Sequence, residues 1–311
     1  MFKHKLLCTS ASLNMRKTGI LKIEEGGNAT AMRKQGYASN EYGTLKEVLM
    51  CLPEKMKIQK PLNEAQKKYK KENINQDKAL RQHEMLRNTL EANGVNVRLL
   101  PVSQDKDLPE QVFTRDLGFT SDKGIFLGKM NEKIRKPEIN LVKNWLSEEN
   151  WSYEELQNGS LECGDLLIDG NIVFIGKSNR TTEAAIKEIE TLFFDKKIVV
   201  FPIGDKYLHL DCVFNIISPG MAILHPDAFS KEDVRRISMH YRTLRVDDKE
   251  QFHLATNILS IGNDTVISLP ENKRVNKHLK QWGMEVIEVD LSEIIKSGGA
   301  FRCVTFPLIK Y

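Results

Sequence analysis

Leu161-Glu-Cys-Gly-Asp165-Leu-Leu-Ile168-Asp169-Gly170-Asn171-Ile172-Val-Phe-Ile175 is the stretch on which the fold turns. A polar residue closes one segment, an apolar strand begins, Asp169-Gly170-Asn171 supplies turn chemistry, and a second apolar strand follows. Thr182-Glu-Ala-Ala-Ile-Lys-Glu-Ile-Glu-Thr-Leu192 then carries apolar residues at helical spacing, and Lys197-Ile-Val-Val-Phe201 reads as a third strand. The unit is ββαβ.

The unit recurs along the chain. Phe113-Thr-Arg-Asp116, His209-Leu-Asp211-Cys-Val-Phe-Asn-Ile216 and Leu254-Ala-Thr-Asn257-Ile-Leu-Ser-Ile261 open in the same way, and Asp116, Asp165, Asp211, Asn257 and Cys303 succeed one another at intervals of 46 to 49 residues. A fixed period of this size marks a repeat architecture, here an α/β one. Five such units set around an axis bring the polar residues at the strand starts together. Residues 302–309 fall in phase with the opening strands, and residues 42–52 supply their neighbour in the first unit, so both chain ends share one blade and leave no bare sheet edge. One domain is expected over residues 41–311. Residues 1–40 read as a flexible N-terminal extension, whose basic, acid-free start faintly matches a transit peptide but is too short in apolar residues for a secretory signal.

Cys303 lies in Ser297-Gly298-Gly299-Ala300-Phe301-Arg302-Cys303-Val304-Thr305-Phe306-Pro307-Leu308. The double glycine lets the backbone turn sharply and approach a ligand, and the apolar run after it would hold the thiol at a strand start. A lone cysteine beside a strand is ordinarily a small buried hydrophobe; its phase with Asp116, Asp165 and Asp211 marks this one as a nucleophile.

Composition narrows the classes. At 311 residues, 41% of them hydrophobic and 28% charged, the chain can bury a sizeable core as an ordinary globular protein. A net charge of +4 is too small and too dispersed for nucleic-acid binding, and the basic residues 67–71 read as a solvated helix face. Five cysteines at irregular spacing argue against a disulfide framework and for a reducing, cytoplasmic setting; Cys8, Cys51 and Cys212 read as incidental. No run is long enough to span a membrane.

Phe113-Thr-Arg-Asp116, Leu161-Glu-Cys-Gly-Asp165, Gly176-Lys-Ser-Asn-Arg180-Thr181, His209-Leu-Asp211 and Gly298-Gly-Ala-Phe-Arg-Cys303 together resemble the guanidine-modifying enzymes, the pentein superfamily of arginine deiminases, dimethylarginine dimethylaminohydrolases and amidinotransferases. The likeness covers residues 41–308 and implies a five-bladed α/β propeller of ββαβ repeats. Arginine deiminases usually carry an added helical domain between the first two units. Residues 60–99 have room for one ordinary helix and its strand, which favours the compact dimethylarginine dimethylaminohydrolase-like group, although the Phe-Thr-Arg-Asp and His-Leu-Asp motifs are nearer to arginine deiminase.

Hydrolysing a guanidinium means attacking a resonance-stabilised cationic carbon, which needs a strong nucleophile, anions to hold the cation and an acid for the departing amine. The resemblance assigns attack to Cys303, giving a covalent thiouronium, and proton transfer to His209, with Glu162 as the third catalytic residue. It implies that Glu162 and Asp116 bind guanidinium N–H groups, that Asp211 grips the same cation, and that Phe113 packs on its plane. Asp211, two residues from His209, is expected on the same side of an extended segment. Arg180 would bind the substrate's α-carboxylate, an anion that a buried arginine needs, and Arg135 is a weaker candidate for a second carboxylate contact or else a solvated turn residue. Asp165 and Asn257 read as structural. Cys163 replaces the glycine usual in the Glu-Gly-Gly-Asp motif and puts the position of Glu162 in question. No metal and no cofactor are expected; the partner is a small guanidino substrate, with a homo-oligomer left open. The implied reaction is hydrolysis of arginine or an N-methylated arginine to citrulline and ammonia or an amine. An amidinotransferase would use the same adduct, and a noncatalytic binding protein would use only the fold.

Overall fold

A computed structural model describes residues 32–311 of the chain, of which Arg33–Tyr311 form one unit. Cys8 and the transit-like start fall outside the described residues. Strands β1 (Tyr37–Ala38) and β2 (Leu45–Cys51) are followed by helices α1 (Glu64–Tyr69) and α2 (Gln76–Ala92) and by β3 (Asn96–Leu100). A second unit comprises β4 (Gly118–Ser121), β5 (Gly124–Leu127), α3 (Lys136–Glu148) and β6 (Tyr153–Glu155). A third comprises β7 (Leu166–Asp169), β8 (Ile172–Lys177), α4 (Glu183–Leu192) and β9 (Lys197–Pro202). The fourth is β10 (Phe214–Ser218), β11 (Met221–Leu224), α5 (Lys231–His240) and β12 (Arg242–Arg245). A short α6 (Asp248–Phe252) leads to β13 (Leu259–Gly262), β14 (Thr265–Ser268), α7 (Lys273–Gln281) and β15 (Glu285–Glu288), and β16 (Phe306–Lys310) ends the chain.

Within each unit the first two strands are antiparallel and the third returns parallel to the second through the helix. The hairpins close on residues that tolerate positive φ: Asn263 and Asp264, at φ 51° and 53°, form the mirror-image turn that matches strand twist between β13 and β14. The first sheet has the order β1-β16-β2-β3, so the C-terminal strand does fill the place of an opening strand beside β2.

The five sheets close cyclically through five apolar cores. Leu49 and Phe306 of the first sheet meet Ile125 and Leu127 of the second, and Phe119 and Phe126 meet Leu166 and Val173 of the third. Leu167 and Phe174 meet Phe214 and Ile216 of the fourth, Ile217 and Ile223 meet Val266 of the fifth, and Ile261 and Ile267 return to Val48 and Met50. Burying both faces of every sheet explains why the strands read as continuous apolar runs.

Three expectations differ from this architecture. Strand β1 lies before residue 41 and pairs Tyr37 with Ile309, so the compact unit already includes residues 33–40. Residues 60–99 hold two helices, because Asn63 caps α1 by accepting the Gln66 N–H at 2.9 Å and starts a helix where no long apolar period announces one. Leu210–Cys212 forms a 3-10 turn instead of an extended segment, so strand alternation does not govern where His209 and Asp211 point. Among the described residues no helix is long and apolar enough to cross a membrane.

Candidate active site

The five in-phase residues sit at equivalent places. Thr114–Leu117, Cys163–Asp165 and Leu210–Cys212 are tight 3-10 turns that lead into β4, β7 and β10. Asn257 ends the turn before β13, with its N–H on the Leu254 carbonyl at 2.9 Å, and Cys303 occupies the turn before β16.

Glu162, Asp116 and His209 form one buried cluster. Glu162 Oε2 lies 2.9 Å from His209 Nε2, and Asp116 Oδ1 lies 3.5 Å from His209 Nδ1. Burial pulls the imidazole down, but the Asp116, Glu162 and Asp165 carboxylates outweigh it and push His209 up to about 10. Burial raises Glu162, and the His209 hydrogen bond with the Arg135 and Arg180 charges overcomes it, leaving that carboxyl at about 2. The cluster therefore holds an imidazolium beside a carboxylate at neutral pH. Asp116 Oδ1 and His209 Nδ1 are buried with no hydrogen-bond partner, an arrangement costly for a polar atom that nothing ever satisfies.

Cys303 is buried beside this cluster, its carbonyl accepting the Arg115 N–H at 3.0 Å next to Asp116. Its Sγ is 3.8 Å from Asp211 Oδ2 and 3.1 Å from Asn257 Nδ2. Asp211 Oδ2 is 3.3 Å from Arg302 Nε; burial raises the Asp211 carboxyl against the lowering pull of Arg302. Gly298 adopts φ 95°, a left-handed turn suited to glycine. Phe113 packs closely against the next residue: a Cβ on Gly299 would stand 2.4 Å from the Phe113 ring.

Arg135 is buried, not a solvated turn residue. Its Nη1 donates to Asp116 Oδ2 at 2.6 Å, its Nη2 donates to Glu138 Oε2 at 3.0 Å, and the ion lies 3.9 Å from Glu162. Arg180 lines a cleft of about 210 Å³ with Glu132, Lys206 and Tyr207. It already has anions, Glu132 at 3.3 Å and Glu162 at 3.5 Å, so no external carboxylate is needed to make its burial tolerable. Asp165 is structural: it accepts hydrogen bonds from Thr181 Oγ1 at 2.7 Å, from Ser178 and from the Leu210 N–H at 2.8 Å, tying the Arg180 loop to the His209 turn.

Cys163 does not disturb Glu162. Its side chain turns into the apolar core against Gly128, whose added Cβ would sit 2.8 Å from Sγ. Cys212, by contrast, is not incidental: its thiol lies 3.6 Å from Asp211 Oδ1 and is raised first by its contact with Cys303 and then by burial. Sequence reading also passed over Glu41, which accepts from Arg115 at 3.1 Å and from Arg302 and is held at about 2 because both guanidiniums outweigh its burial. Only the phase of Asn257 signalled its contact with the nucleophile. Asp116, Glu162 and His209 present atoms within 4.8 Å of one another and so have ligand-type spacing, but Arg135 and Arg180 already neutralise the carboxylates.

A closed series of five α/β sheets, with cysteine, histidine and carboxylates at the strand starts, defines the pentein class. The chain belongs to the family described as "N,N dimethylarginine dimethylhydrolase, eukaryotic", which it matches over residues 52–310. It is 45% identical over 270 residues to the uncharacterized protein YkgA of Bacillus subtilis, covering 87% of this chain and 94% of that protein. It is 25% identical over 229 residues to the N(G),N(G)-dimethylarginine dimethylaminohydrolase of Mycobacterium tuberculosis, covering 73% of this chain and 74% of the relative. The bifunctional arginine dihydrolase/ornithine cyclodeaminase ArgZ of Synechocystis is 26% identical over 83% of this chain, which spans only 37% of ArgZ. The solved N-terminal domain of ArgZ bound to product superimposes with a TM-score of 0.77 at 25% identity, covering 85% of this chain and 97% of that one.

Proposed function

We propose that the chain hydrolyses the guanidinium of a free arginine-type amino acid, arginine or an N-methylated arginine, to citrulline and ammonia or the corresponding amine. The observation that carries this reading is that Asp116 Oδ1 and His209 Nδ1, buried beside the Cys303 turn and 3.5 Å apart, have no hydrogen-bond partner. A guanidinium N–H would satisfy the carboxylate oxygen, and the imidazolium stands ready to protonate a departing nitrogen.

Cys303 Sγ attacks the guanidinium carbon, the C–N bond to the leaving amine breaks, and His209 supplies the proton that amine takes. The now neutral imidazole accepts a proton from water as the water attacks the thiouronium carbon. Collapse expels the Cys303 thiolate, the adduct's hydroxyl proton passes to solvent, and the neutral ureido product is left with His209 again protonated. Glu162 and Asp116 hold both the imidazolium and the substrate cation, and Phe113 walls the pocket against Gly299. The substrate's own positive charge favours the thiolate. Arg180 would read the α-carboxylate by taking it in place of Glu132, the more exposed of its two anions. The four described cysteines are free, in keeping with a reducing, cytoplasmic setting.

Amidine transfer to an amine remains the second reading, since it needs only a different acceptor for the same adduct. Incubation with a panel of guanidines separates the two: ureido product by colorimetry supports hydrolysis, whereas transferred amidine by mass, without ureido product, overturns it.

A further inference from the structure

Three of the five equivalent turn positions carry a carboxylate, and the two that do not are in contact with each other. Asp116, Asp165 and Asp211 put carboxylates before β4, β7 and β10, Cys303 puts the sulfur before β16, and the position before β13 carries an amide, Asn257. That amide is fully buried. Its Oδ1 accepts the backbone N–H groups of Arg302 at 3.1 Å and Cys303 at 3.2 Å, which fixes its orientation: a flip would set an NH2 group against two donors. Nδ2 is thereby aimed at Cys303 Sγ, 3.1 Å away, and at the Asp211 carbonyl, 3.5 Å away.

The charged and titratable groups around the sulfur make that donor matter. Asp211 Oδ2, 3.8 Å from Sγ, opposes negative charge on it, and Arg302 Nε offsets that carboxylate from 3.3 Å. The neighbouring Cys212 thiol is held neutral by burial and by its contact with Cys303. Asn257 Nδ2 is an amide donor held on the sulfur, beside the weaker thiol donor that Cys212 can offer it. An aspartate here, as at the equivalent positions, would accept the same two backbone N–H groups but turn an oxygen toward the thiolate.

We propose that Asn257 is a catalytic residue, donating from Nδ2 to Cys303 Sγ to stabilise the thiolate as it attacks and again as it leaves, while its Oδ1 holds the nucleophile's turn. This rests on the hydrolase reading for its place in turnover but not for its effect on the sulfur. The deciding measurement is the rate of Cys303 carboxamidomethylation by iodoacetamide from pH 5 to 10, followed by peptide mass mapping, in the wild type, Asn257→Asp and Asn257→Ala, with melting temperatures and wild-type arginine and N-methylarginine turnover measured alongside. Asn257→Asp preserves the backbone acceptor but also brings a charge to the sulfur, so a donor role requires slowed alkylation in folded Asn257→Ala as well, whereas a purely structural role predicts slowing there only with a fall in melting temperature. A hydrogen bond to a charged group is worth a factor of ten or so, and the expected result is about tenfold slower alkylation at pH 7 in Asn257→Asp and a smaller slowing in Asn257→Ala. Alkylation of folded Asn257→Asp at the wild-type rate across the whole range overturns the proposal. An unchanged profile in folded Asn257→Ala overturns it equally, whether or not Asn257→Asp folds. Slowed alkylation in the variants together with no ureido product from the wild type would uphold the role of Asn257 toward the sulfur and sink the hydrolase reading alone.

Discussion

A Cβ placed on Gly164 would lie 2.7 Å from His209 Nδ1 and 3.1 Å from Asp116 Oδ1. The backbone of one turn is thus the wall against which the imidazole rests, and it leaves no room for a methyl group. Gly164→Ala is expected to push His209 off Glu162 and lower kcat by at least about tenfold, since a displaced proton donor forfeits much of its acid–base contribution. The adjacent Cys163→Gly should do the opposite, keeping turnover while costing about 1–2 kcal/mol of stability through lost burial and added backbone freedom. Turnover and denaturant melts of the two variants decide it; a loss of activity in Cys163→Gly with none in Gly164→Ala would refute this description of the turn.

The His209–Glu162 pair makes stability depend on pH in a definite sense. His209 rises from an ordinary 6.5 to about 10 on folding, so its contribution is complete below about 6.5 and disappears as pH climbs through about 10. Glu162 falls from 4.5 to about 2, so its contribution is complete above 4.5 and disappears as pH drops through about 2. The melting temperature of the wild type should therefore decline between pH 7 and 10 more steeply than that of His209→Asn. Parallel profiles would show that the imidazole is not charged in the folded protein.

His209 serves both halves of the cycle, but a departing amine can find its proton elsewhere more easily than water can be activated. His209→Ala is expected to lower steady-state turnover by about a hundredfold or more, with a stable mass increment building up on Cys303. Near-wild-type turnover would remove His209 from the mechanism.

Arg180 distinguishes substrate classes. Loss of one charge-assisted carboxylate contact should cost about 1.5–3 kcal/mol, so agmatine should be handled on the order of tenfold to a hundredfold less efficiently than the best amino acid. Arg180→Ala should shrink that gap by weakening the amino acid far more than agmatine. Equal penalties on both, measured as kcat/KM, would mean that Arg180 serves only Glu132 and Glu162, its partners at 3.3 and 3.5 Å.

Much of the fold was legible because its repeat is a local pattern: the turn, the apolar strand pair, the helix and the returning strand recur near every 46 residues, and each sheet in fact forms from one such unit, closed in the first by the C-terminal strand. The phase that drew out Asp116, Asp211 and Cys303 marked positions correctly without telling what each side chain would touch. Asp165 and Asn257 occupy the same phase, yet one braces two loops and the other reaches the sulfur, because the direction of each depends on neighbours far away in sequence. Glu41 lies outside the periodic segments and meets Arg115 and Arg302 only once the sheets close, so no local signal announced it. The basic stretch around Arg135 left a substrate contact and a solvated turn equally open, because the carboxylates that bury it come from Asp116 and from Glu138 one helical turn on. The short helix α1 escaped notice for lack of length, its start set by the Asn63 cap.

The central claim is covalent catalysis at Cys303 on a guanidine carbon. Its most direct test is peptide mass mapping of protein treated with a haloamidine, with and without competing arginine or N-methylarginine, alongside turnover of Cys303→Ser. The account predicts one label, on the peptide that carries Cys303, protection by the competing amino acid, and neither label nor ureido product in Cys303→Ser. A label on Cys163 or Cys212 instead, or continued ureido formation by Cys303→Ser, would contradict it.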